Sequence, residues 1–547
     1  MTNVLGVHFG HDANAALVMG GTIVADVAEE RFTRIKHCSD PPKNAVQYCL
    51  EAGGVTLENI DIIAVSGRNG HEDFHKTFYT RNCSIPVPAY YSRIEIPDDV
   101  EILHFDHHLC HAAASYYLSG FQKPSLVFIS DGFGDDCSVS VWEGRGADLK
   151  LLKKYGADAS LGWFYGNVTE ALGWIHGDGE GKTMALASCG NAKTARRVLS
   201  PFCPRYVNGR LADPHKFGSI SGLKLKGSIQ WHLPDADKIQ KLRTEYPDED
   251  LAAAAQFLLE EQHEELVRYW MGVTQPARLC LGGGVFLNII LNRKLINLNG
   301  WESVYIHPNP GDTGLALGAA LAAIADRRPQ DLPRCLETIY LGPAYTNDEI
   351  EAFLKKSKTP FQFLEEDLLC DRVAAELAEN KCVGWFQGRM ESGPRALGNR
   401  SILMSPSTAS NKDYINNRVK FREPFRPFCP SLIAEDRYRY LVEPDAGPHM
   451  ILSFTARQGA EDRIPAVVHI DGTVRPQILS RTDNPLYYKL LQAFRQKTGE
   501  SALLNTSFNI KGEPIVCSPA DAVRCFFSTG MDILVMGNYV IYKNNGY

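Results

Sequence analysis

The feature that most constrains this chain is a pattern that occurs twice. Asn3–Phe9 (NVLGVHF) is a short apolar run; Gly10-His11-Asp12 follows, then Ala13–Val18, a Gly20-Gly21 turn and Thr22–Val27. That order reads as strand, polar turn, hairpin. The same grammar returns about 120 residues later as Ser125–Ser130 (SLVFIS), the turn Asp131-Gly132-Phe133-Gly134-Asp135-Asp136, and Cys137–Trp142. Two copies predict a duplicated α/β unit. Turns of this kind hold phosphate against backbone N–H groups or aim a carboxylate at a metal. One copy alone reads as an ordinary glycine-rich hairpin.

Between the copies lies Asp106–Tyr117 (DHHLCHAAASYY). Asp106 is a helix cap, and small and apolar residues continue the helix. His107 and His111 are four apart, so both imidazoles share one helix face, while His108 points elsewhere. Two neutral imidazoles one turn apart can grip a divalent metal; alone, the same spacing is also a polar helix face. Glu29–His37 (EERFTRIKH) is a mixed-charge run and reads as a solvated face. Gly177–Gly190 carries Gly181-Lys182-Thr183, the end of a phosphate-loop pattern, but His176 stands where the first glycine should be. The loop can still approach an anion through backbone donors.

Two strand–glycine turn–helix units follow. Arg278–Leu281 runs into Gly282-Gly283-Gly284 and a helix carrying Asn288, which would let a nucleotide approach bare backbone. Val304–His307 runs into Pro308-Asn309-Pro310-Gly311-Asp312 and the small-residue helix Gly314–Ala323, suited to close packing. Asp312 stands at that helix N-terminus, where it is either a plain cap or a free carboxylate facing the turn. Near Leu341–Ala344 the chain changes character. We place the boundary there, giving domains 1–343 and 344–547.

The second domain carries a charge anomaly. The whole chain is acidic, with a net charge of −7, yet Arg389–Arg426 holds eight Lys/Arg against three Asp/Glu. Arg395, Arg400, Arg418, Lys420, Arg422 and Arg426 sit among Gly, Pro and Asn, which suits loops around an anion. His469–Arg475 (HIDGTVR) follows, and then Leu503–Glu513 (LLNTSFNIKGE), an apolar strand ending in hydroxyl and amide side chains. The acidic balance argues against general nucleic-acid or membrane affinity. No apolar run is long enough to span a bilayer. The 14 cysteines are scattered without a CxxC pair, which reads as reduced thiols in a cytoplasmic protein.

The segments VHFGHDANAAL, EERFTRIKH, DHHLCHAAASYY, GEGKTMALAS, GGGVFLN, PGDTGLALGAA, GRMESGPRALGNRSIL, REPFRPFCPS and NTSFNIKGEPIV resemble, in order, the O-carbamoyltransferase family. That family includes the nodulation-factor carbamoyltransferase and antibiotic carbamoyltransferases. The resemblance implies an α/β protein of two parts: a duplicated N-terminal lobe similar to the actin/sugar-kinase fold of tRNA threonylcarbamoyl transferases, and a C-terminal YrdC-like domain. It implies that the C-terminal part makes carbamoyl-adenylate from carbamoyl phosphate and ATP with Mg²⁺. The N-terminal part, holding an Fe(II)-type metal, passes the carbamoyl group to an alcohol. By motif match the metal ligands are His107, His111, Asp131 and Asp312. The carbamoyl-phosphate and nucleotide residues are Arg395, Lys420, Arg426, Met450, Arg475 and Ser507. His11, Asp12 and Lys36 are the catalytic group, and Gly282, Gly283 and Asn288 the nucleotide contacts of the N-terminal lobe. The chain departs from its relatives in having Leu109-Cys110 between the paired histidines and Ser392 before Gly-Pro-Arg.

The residue types agree with that chemistry. A small dianion calls for Arg, Lys and hydroxyl donors. Nucleotidyl transfer calls for positioned cations at phosphorus. Two imidazoles and two carboxylates suit a borderline divalent ion, with Mn or Zn also compatible. The labile mixed anhydride leads one to expect a sheltered transfer. Three other readings stay open at this level. A sugar kinase would not need the Arg389–Arg426 segment. A tRNA-modifying transferase would need a basic surface. A non-catalytic ATP-binding scaffold would not need the metal carboxylates. The expected partner is a small-molecule alcohol, with no nucleic acid and no membrane.

Overall fold

The computed structural model describes residues 2–68, 74, 77–80, 94–215, 221–225, 228–442 and 447–543. The chain divides into two compact units, Met1–Glu337 and Thr338–Tyr547. The division falls just before the composition change near Leu341. Ile339–Pro343 goes with the second unit because its backbone pairs with Met390 and Ser392: Gly342 N–H donates to Met390 O at 2.9 Å and Ser392 N–H to Ile339 O at 2.8 Å.

In the first unit, strands β1 (Asn3–His8), β2 (Asn14–Met19) and β3 (Thr22–Ala28) form an antiparallel meander. Strands β4 (Ile62–Ser66) and β5 (Glu101–Phe105) extend it in parallel from β1, giving the order β3-β2-β1-β4-β5. A second sheet repeats this plan with β6 (Ser125–Gly134), β7 (Cys137–Arg145), β8 (Asp148–Tyr155), β9 (Arg278–Gly282) and β10 (Ser303–Ile306), ordered β8-β7-β6-β9-β10. Its strand senses match the first sheet pair by pair. The unit is the duplicated α/β lobe that the repeated turn predicts. Strands β1 and β6 are covered on both faces, which is why each reads as an unbroken apolar run. Edge strand β8 carries Lys150, Lys153 and Lys154, charges that discourage edge pairing.

Two helices set the site. Helix α1 (His107–Tyr117) starts where Asp106 accepts from the backbone N–H groups of His108 and Leu109. Helix α2 (Leu315–Arg327) is built of Ala, Leu and Gly and packs on both α1 and β1 through residues that include Cys110, Ala113, Leu317 and Ala320. The approach is close: a Cβ at Gly318 would lie 2.1 Å from Cys110 O. The obstacle is backbone, so an alanine can be seated only by moving one helix. Gly318→Ala is therefore expected to cost about 1–3 kcal/mol, as overpacking typically does. It should also disturb the geometry between α1 and the turn preceding α2. Thermal melting together with metal analysis checks this; an unchanged melt would refute the close-packing argument.

The second unit is a mixed eight-stranded sheet. Its strands are β11 (Gln362–Phe363), β12 (Val383–Phe386), β13 (Arg400–Met404), β14 (Cys429–Ile433), β15 (Gln477–Leu479), β16 (Ala502–Ser507), β17 (Ile533–Met536) and β18 (Tyr539–Tyr542). The order is β11-β18-β17-β12-β13-β16-β14-β15. Helices α3 (Glu366–Ala378) and α4 (Pro485–Thr498) bury Leu369, Val373, Leu377, Leu491 and Phe494 against Trp385, Leu403, Ile433 and Leu503. Both units are thus α/β. Among the described residues no helix is long and apolar enough to cross a membrane.

Candidate functional site

The four residues expected to bind metal meet at one point. His107 and His111 come from successive turns of α1, Asp131 from the turn region of β6, and Asp312 from the turn before α2. The two Nε2 atoms lie 3.2 Å apart. His107 Nε2 is 3.3 Å from Asp131 Oδ2 and 3.5 Å from Asp312 Oδ1; His111 Nε2 is 3.3 Å from Asp312 Oδ1 and 4.0 Å from Asp131 Oδ2. Ligand bonds of about 2.0–2.1 Å in a tetrahedron put donor atoms about 3.4 Å apart, so this set fits a single ion. Asp312 is not a helix cap here. Gly311 caps the short turn Asp312–Gly314 and Gly314 caps α2, and the Asp312 carboxylate is turned to the histidines.

The electrostatics point the same way. Burial disfavours charge on His107, yet Asp312 and Asp131 hold its pKa well above the ordinary value. Asp312, also penalised by burial, is held well below the usual carboxylate range, chiefly by His107. A divalent cation would supply this compensation without protons. Asp131 is oriented through its other oxygen, which accepts the Gly284 N–H at 3.0 Å. Gly134 makes room for the His107 ring, since a Cβ there would sit 2.2 Å from its Cδ2. His108 is a satisfied core residue: its ring nitrogens face Ser140 Oγ at 2.9 Å and Cys137 O at 3.0 Å.

A second cluster gathers around the first turn. Asp12 Oδ2 is 3.0 Å from His11 Nδ1, and Asp12 Oδ1 is 2.8 Å from His37 Nδ1. Lys36 pairs with Asp178, which also lies 3.7 Å from His37 Nε2. Burial opposes charge on His11, but Asp12 prevails and raises its pKa. Asp12 is held low by His11 and His37 against its own burial. Sequence reasoning named His11, Asp12 and Lys36 but missed His37 and Asp178. Asp178 is 142 residues from Lys36, so only the fold pairs them.

The run Glu29–His37 is not the solvated face expected of it. Glu29, Glu30 and Arg31 are buried. Glu29 accepts the Ala45 N–H at 2.8 Å at a helix start, and Glu30 accepts the His37 N–H at 2.9 Å. The Gly181-Lys182-Thr183 loop is the first turn of a helix, Glu180–Ala187. Glu180 already accepts the Gly177 N–H at 2.8 Å, so an acid of the chain itself occupies that end. Gly282, Gly283 and Asn288 have internal tasks. Gly282 lies against Ser115, and the Gly283 N–H donates to Pro310 O at 2.8 Å. Asn288 caps the helix Ile289–Ile296 and pairs with Gln256.

In the second unit the basic residues divide by role. Arg400, fully buried, donates to Gln387 O, Asn399 O, Pro343 O and Gly388 O; it braces the loop. Lys420 ends a π-helical turn, Asn416–Lys420, and binds Ser507 Oγ at 3.1 Å and Asn509 Oδ1 at 2.5 Å, fastening the end of β16. Arg395 is different. Its Nε, like that of Arg400, is buried without a hydrogen-bond partner, but its neighbours are other cations. Burial and the like charges of Arg475 and Arg426 push its pKa down to about 9, against the pull of Cys429. Burial and Arg426 do the same to Arg422, also to about 9. Arg475 Nε lies 2.8 Å from the Cys429 sulfur. Met450 is buried and left-handed, with φ of 60°, its N–H donating to Pro476 O at 3.2 Å beside Arg475. Crowded cations of this kind are what an anion would compensate.

A sequence family described as "Carbamoyltransferase N-terminus" matches residues 3–83 and 75–321, and one described as "Carbamoyltransferase C-terminus" matches residues 374–543. Nodulation protein NolNO of Sinorhizobium fredii is 37% identical, covering 98% of this chain and 79% of the relative. Nodulation protein NolO of Bradyrhizobium diazoefficiens is 36% identical over 80% of this chain and 79% of its own. An uncharacterized protein of Synechocystis sp. is 32% identical over 99% and 97%. Distant solved structures include the (R)-2-hydroxyglutaryl-CoA dehydratase component A of Acidaminococcus fermentans, with 15% identity and a TM-score of 0.35 over 60% of this chain and 100% of that one. HypF of T. kodakarensis gives 15% identity and a TM-score of 0.33 over 60% and 49%. The matched segments run through both units and contain the histidine–aspartate cluster and the arginine cluster; the chain belongs to the carbamoyltransferase family and is a carbamoyl-transferring enzyme.

Proposed function

We propose that the protein is an ATP-dependent O-carbamoyltransferase working in two steps. The second unit binds carbamoyl phosphate and, with Mg²⁺, ATP. Water releases inorganic phosphate, the carbamate oxygen attacks the α-phosphorus of ATP, and pyrophosphate leaves carbamoyl-adenylate. In the first unit an alcohol attacks the carbamoyl carbon and AMP departs. The observation that carries this reading is the crowded arginine cluster around Arg395, a site built for a small, highly charged anion. Arg395, Arg426 and Arg475 hold the phosphate, with Lys420 keeping Ser507 presented to it and Met450 closing the wall.

In the first unit His107, His111, Asp131 and Asp312 hold the ion. A divalent cation of the Fe(II) class, when bound there, supplies Lewis-acid stabilisation to the departing phosphate. His11 accepts the hydroxyl proton, Asp12 orients it, and Lys36 offers a cation to the carbamoyl-adenylate. The acceptor in this reading is a hydroxyl of a sugar or other natural product. Mass spectrometry of candidate alcohols incubated with ATP and carbamoyl phosphate tests it. An added carbamoyl group with AMP and pyrophosphate supports the proposal; ADP with a phosphorylated alcohol refutes it.

One variant isolates the second step. His11→Asn retains a hydrogen-bonding tip but loses the base. Transfer from pre-formed carbamoyl-adenylate should slow by at least about a hundredfold, the lower end of what a positioned base contributes. Adenylate formation and metal content should stay normal. A near-normal transfer rate would remove His11 from the mechanism.

A further inference from the structure

We propose that His37 is a positioning residue for carbamoyl transfer, clamping the Asp12 carboxylate so that His11 presents its Nε2 to the acceptor hydroxyl on the Gly177 side. The inference rests on the reading of His11 as the base, and goes beyond it by assigning the group that orients and tunes that base.

The argument begins with how Asp12 is shared. One oxygen takes His37 Nδ1 at 2.8 Å and the other takes His11 Nδ1 at 3.0 Å. The two rings lie nearly parallel, 14° apart with centroids at 4.9 Å. A carboxylate held at both ends cannot rotate, so His11 is fixed in plane. Because Nδ1 of His11 faces the carboxylate, the neutral form of the ring keeps its proton there and carries its lone pair on Nε2. That atom faces Gly177, where a Cβ would stand 3.7 Å away. The missing side chain leaves the space an attacking hydroxyl needs.

His37 is itself built in. Asp12 and His37 are both non-glycine residues in the left-handed region, with φ of 62° and 53°. Backbone strain of this sort is retained where surrounding contacts over-determine it. Here the His37 N–H donates to Glu30 Oε2 at 2.9 Å, and Asp178 lies 3.7 Å from its Nε2. The charged groups facing His37 are therefore Asp12, Asp178 and Glu30, with His11 stacked beside it and Lys36 paired to Asp178. Burial alone would neutralise His37; Asp12 and Asp178 push its pKa up to about 10. It stays cationic at neutral pH. That charge works against Asp12 and Asp312, which together still hold the His11 pKa above its ordinary value; without His37 the rise would be larger.

The step balances as a proton transfer. The hydroxyl proton passes to His11 Nε2, the C–O bond to the acceptor forms, and the bond to phosphate breaks with its electron pair on AMP. His11 then returns the proton to solvent. Transfer needs neutral His11, so its rate rises with pH through the His11 pKa. Loss of the His37 charge raises that pKa and moves the limb to higher pH.

The test uses full-length enzyme, pre-formed carbamoyl-adenylate and molar glycerol as the probe alcohol, reading glyceryl carbamate by mass spectrometry. His37→Phe keeps the ring and loses donor and charge; His37→Asn keeps a donor near the Nδ1 position and loses only the charge. At pH 7 His37→Phe should slow transfer by about ten- to a hundredfold, the usual effect of losing an orienting partner. The KM for adenylate should not change, and the pH limb should move up. His37→Asn should recover part of the rate but leave the limb displaced. Neither change should slow the His11→Asn variant further. If His11→Asn is slow while both His37 variants keep the wild-type rate and limb, the positioning role is wrong and the base survives. If His11→Asn is itself near normal, the base reading fails instead. Should His37→Phe not fold, the limb of His37→Asn decides.

Discussion

His107→Ala is expected to empty the first unit of metal and to stop carbamoyl transfer, with adenylate formation in the second unit left intact. His107 Nε2 lies within 3.2–3.5 Å of donor atoms on all three partners, His111, Asp131 and Asp312. Its loss opens the centre of the set. Two carboxylates are then left converging in a buried place with one imidazole between them, and like charges there are poorly tolerated. The variant should relax by protonating a carboxylate rather than by keeping the ion. Asp312→Asn should act in the same direction with a smaller structural disturbance, because the amide keeps the shape and loses the charge. Elemental analysis of purified protein reads both. Full metal occupancy in His107→Ala with normal transfer would sink the assignment.

In the second unit, Arg395→Met should abolish carbamoyl-phosphate-dependent pyrophosphate release and at the same time raise the melting temperature. The sign follows from the direction of the pKa shift. Burial, Arg475 and Arg426 push Arg395 down to about 9, so the folded state holds its proton less tightly than the unfolded chain does. Below pH 9 the charge therefore costs stability, and a neutral side chain removes that cost. The loss of a charge-assisted contact to phosphate is about 1.5–3 kcal/mol, or ten- to a hundredfold in binding. Carbamoyl phosphate should raise the melting temperature of the parent enzyme far more than that of the variant. Lys420→Ala is the contrast. It should also abolish pyrophosphate release, but it should lower the melting temperature, because Lys420 binds Ser507 and Asn509 rather than opposing a neighbour. Added carbamoyl-adenylate should still be consumed by both variants. Failure of added adenylate to restore product in a folded variant would overturn the division into two steps. A lower melting temperature in Arg395→Met would show that the cluster is already compensated.

Legibility in the sequence followed the range of each interaction. The i, i+4 spacing of His107 and His111 and the cap at Asp106 are local, and the structure has them as read. The repeated strand–turn–strand pattern foretold two like sheets, because alternation and turn residues are also local. The charge run Glu29–His37 reads as a solvated face, yet Glu29, Glu30 and Arg31 are buried, since the partners of Glu29, Asn44 and Ala45, belong to a helix that no periodicity connects to it. The excess of Lys and Arg between Arg389 and Arg426 is visible as composition, but not which members brace the fold and which crowd together. Arg400 and Arg395 both keep a buried Nε unpartnered, but Arg400 spends its terminal nitrogens on backbone carbonyls while Arg395 lies against the like charges of Arg475 and Arg426.

What the sequence by itself determined is therefore the set of elements and the kinds of side chain they carry: a twice-used turn, a helix with two histidines on one face, a small-residue helix, and a basic segment in an acidic chain. Spacing along a helix or strand is a property of the backbone, and it holds wherever the element is placed. Only the tertiary structure decided convergence. Asp131 and Asp312 meet the histidines because Gly318 lets α2 lie against α1, and because the Gly284 N–H turns the Asp131 carboxylate inward. Asp178 reaches His37 across the unit, and His37 is thereby a half-buried cation held by two carboxylates instead of one more charge in a surface run. Distances between segments far apart in the chain, and the burial that sets their charges, depend on how the elements pack; no local pattern contains that information.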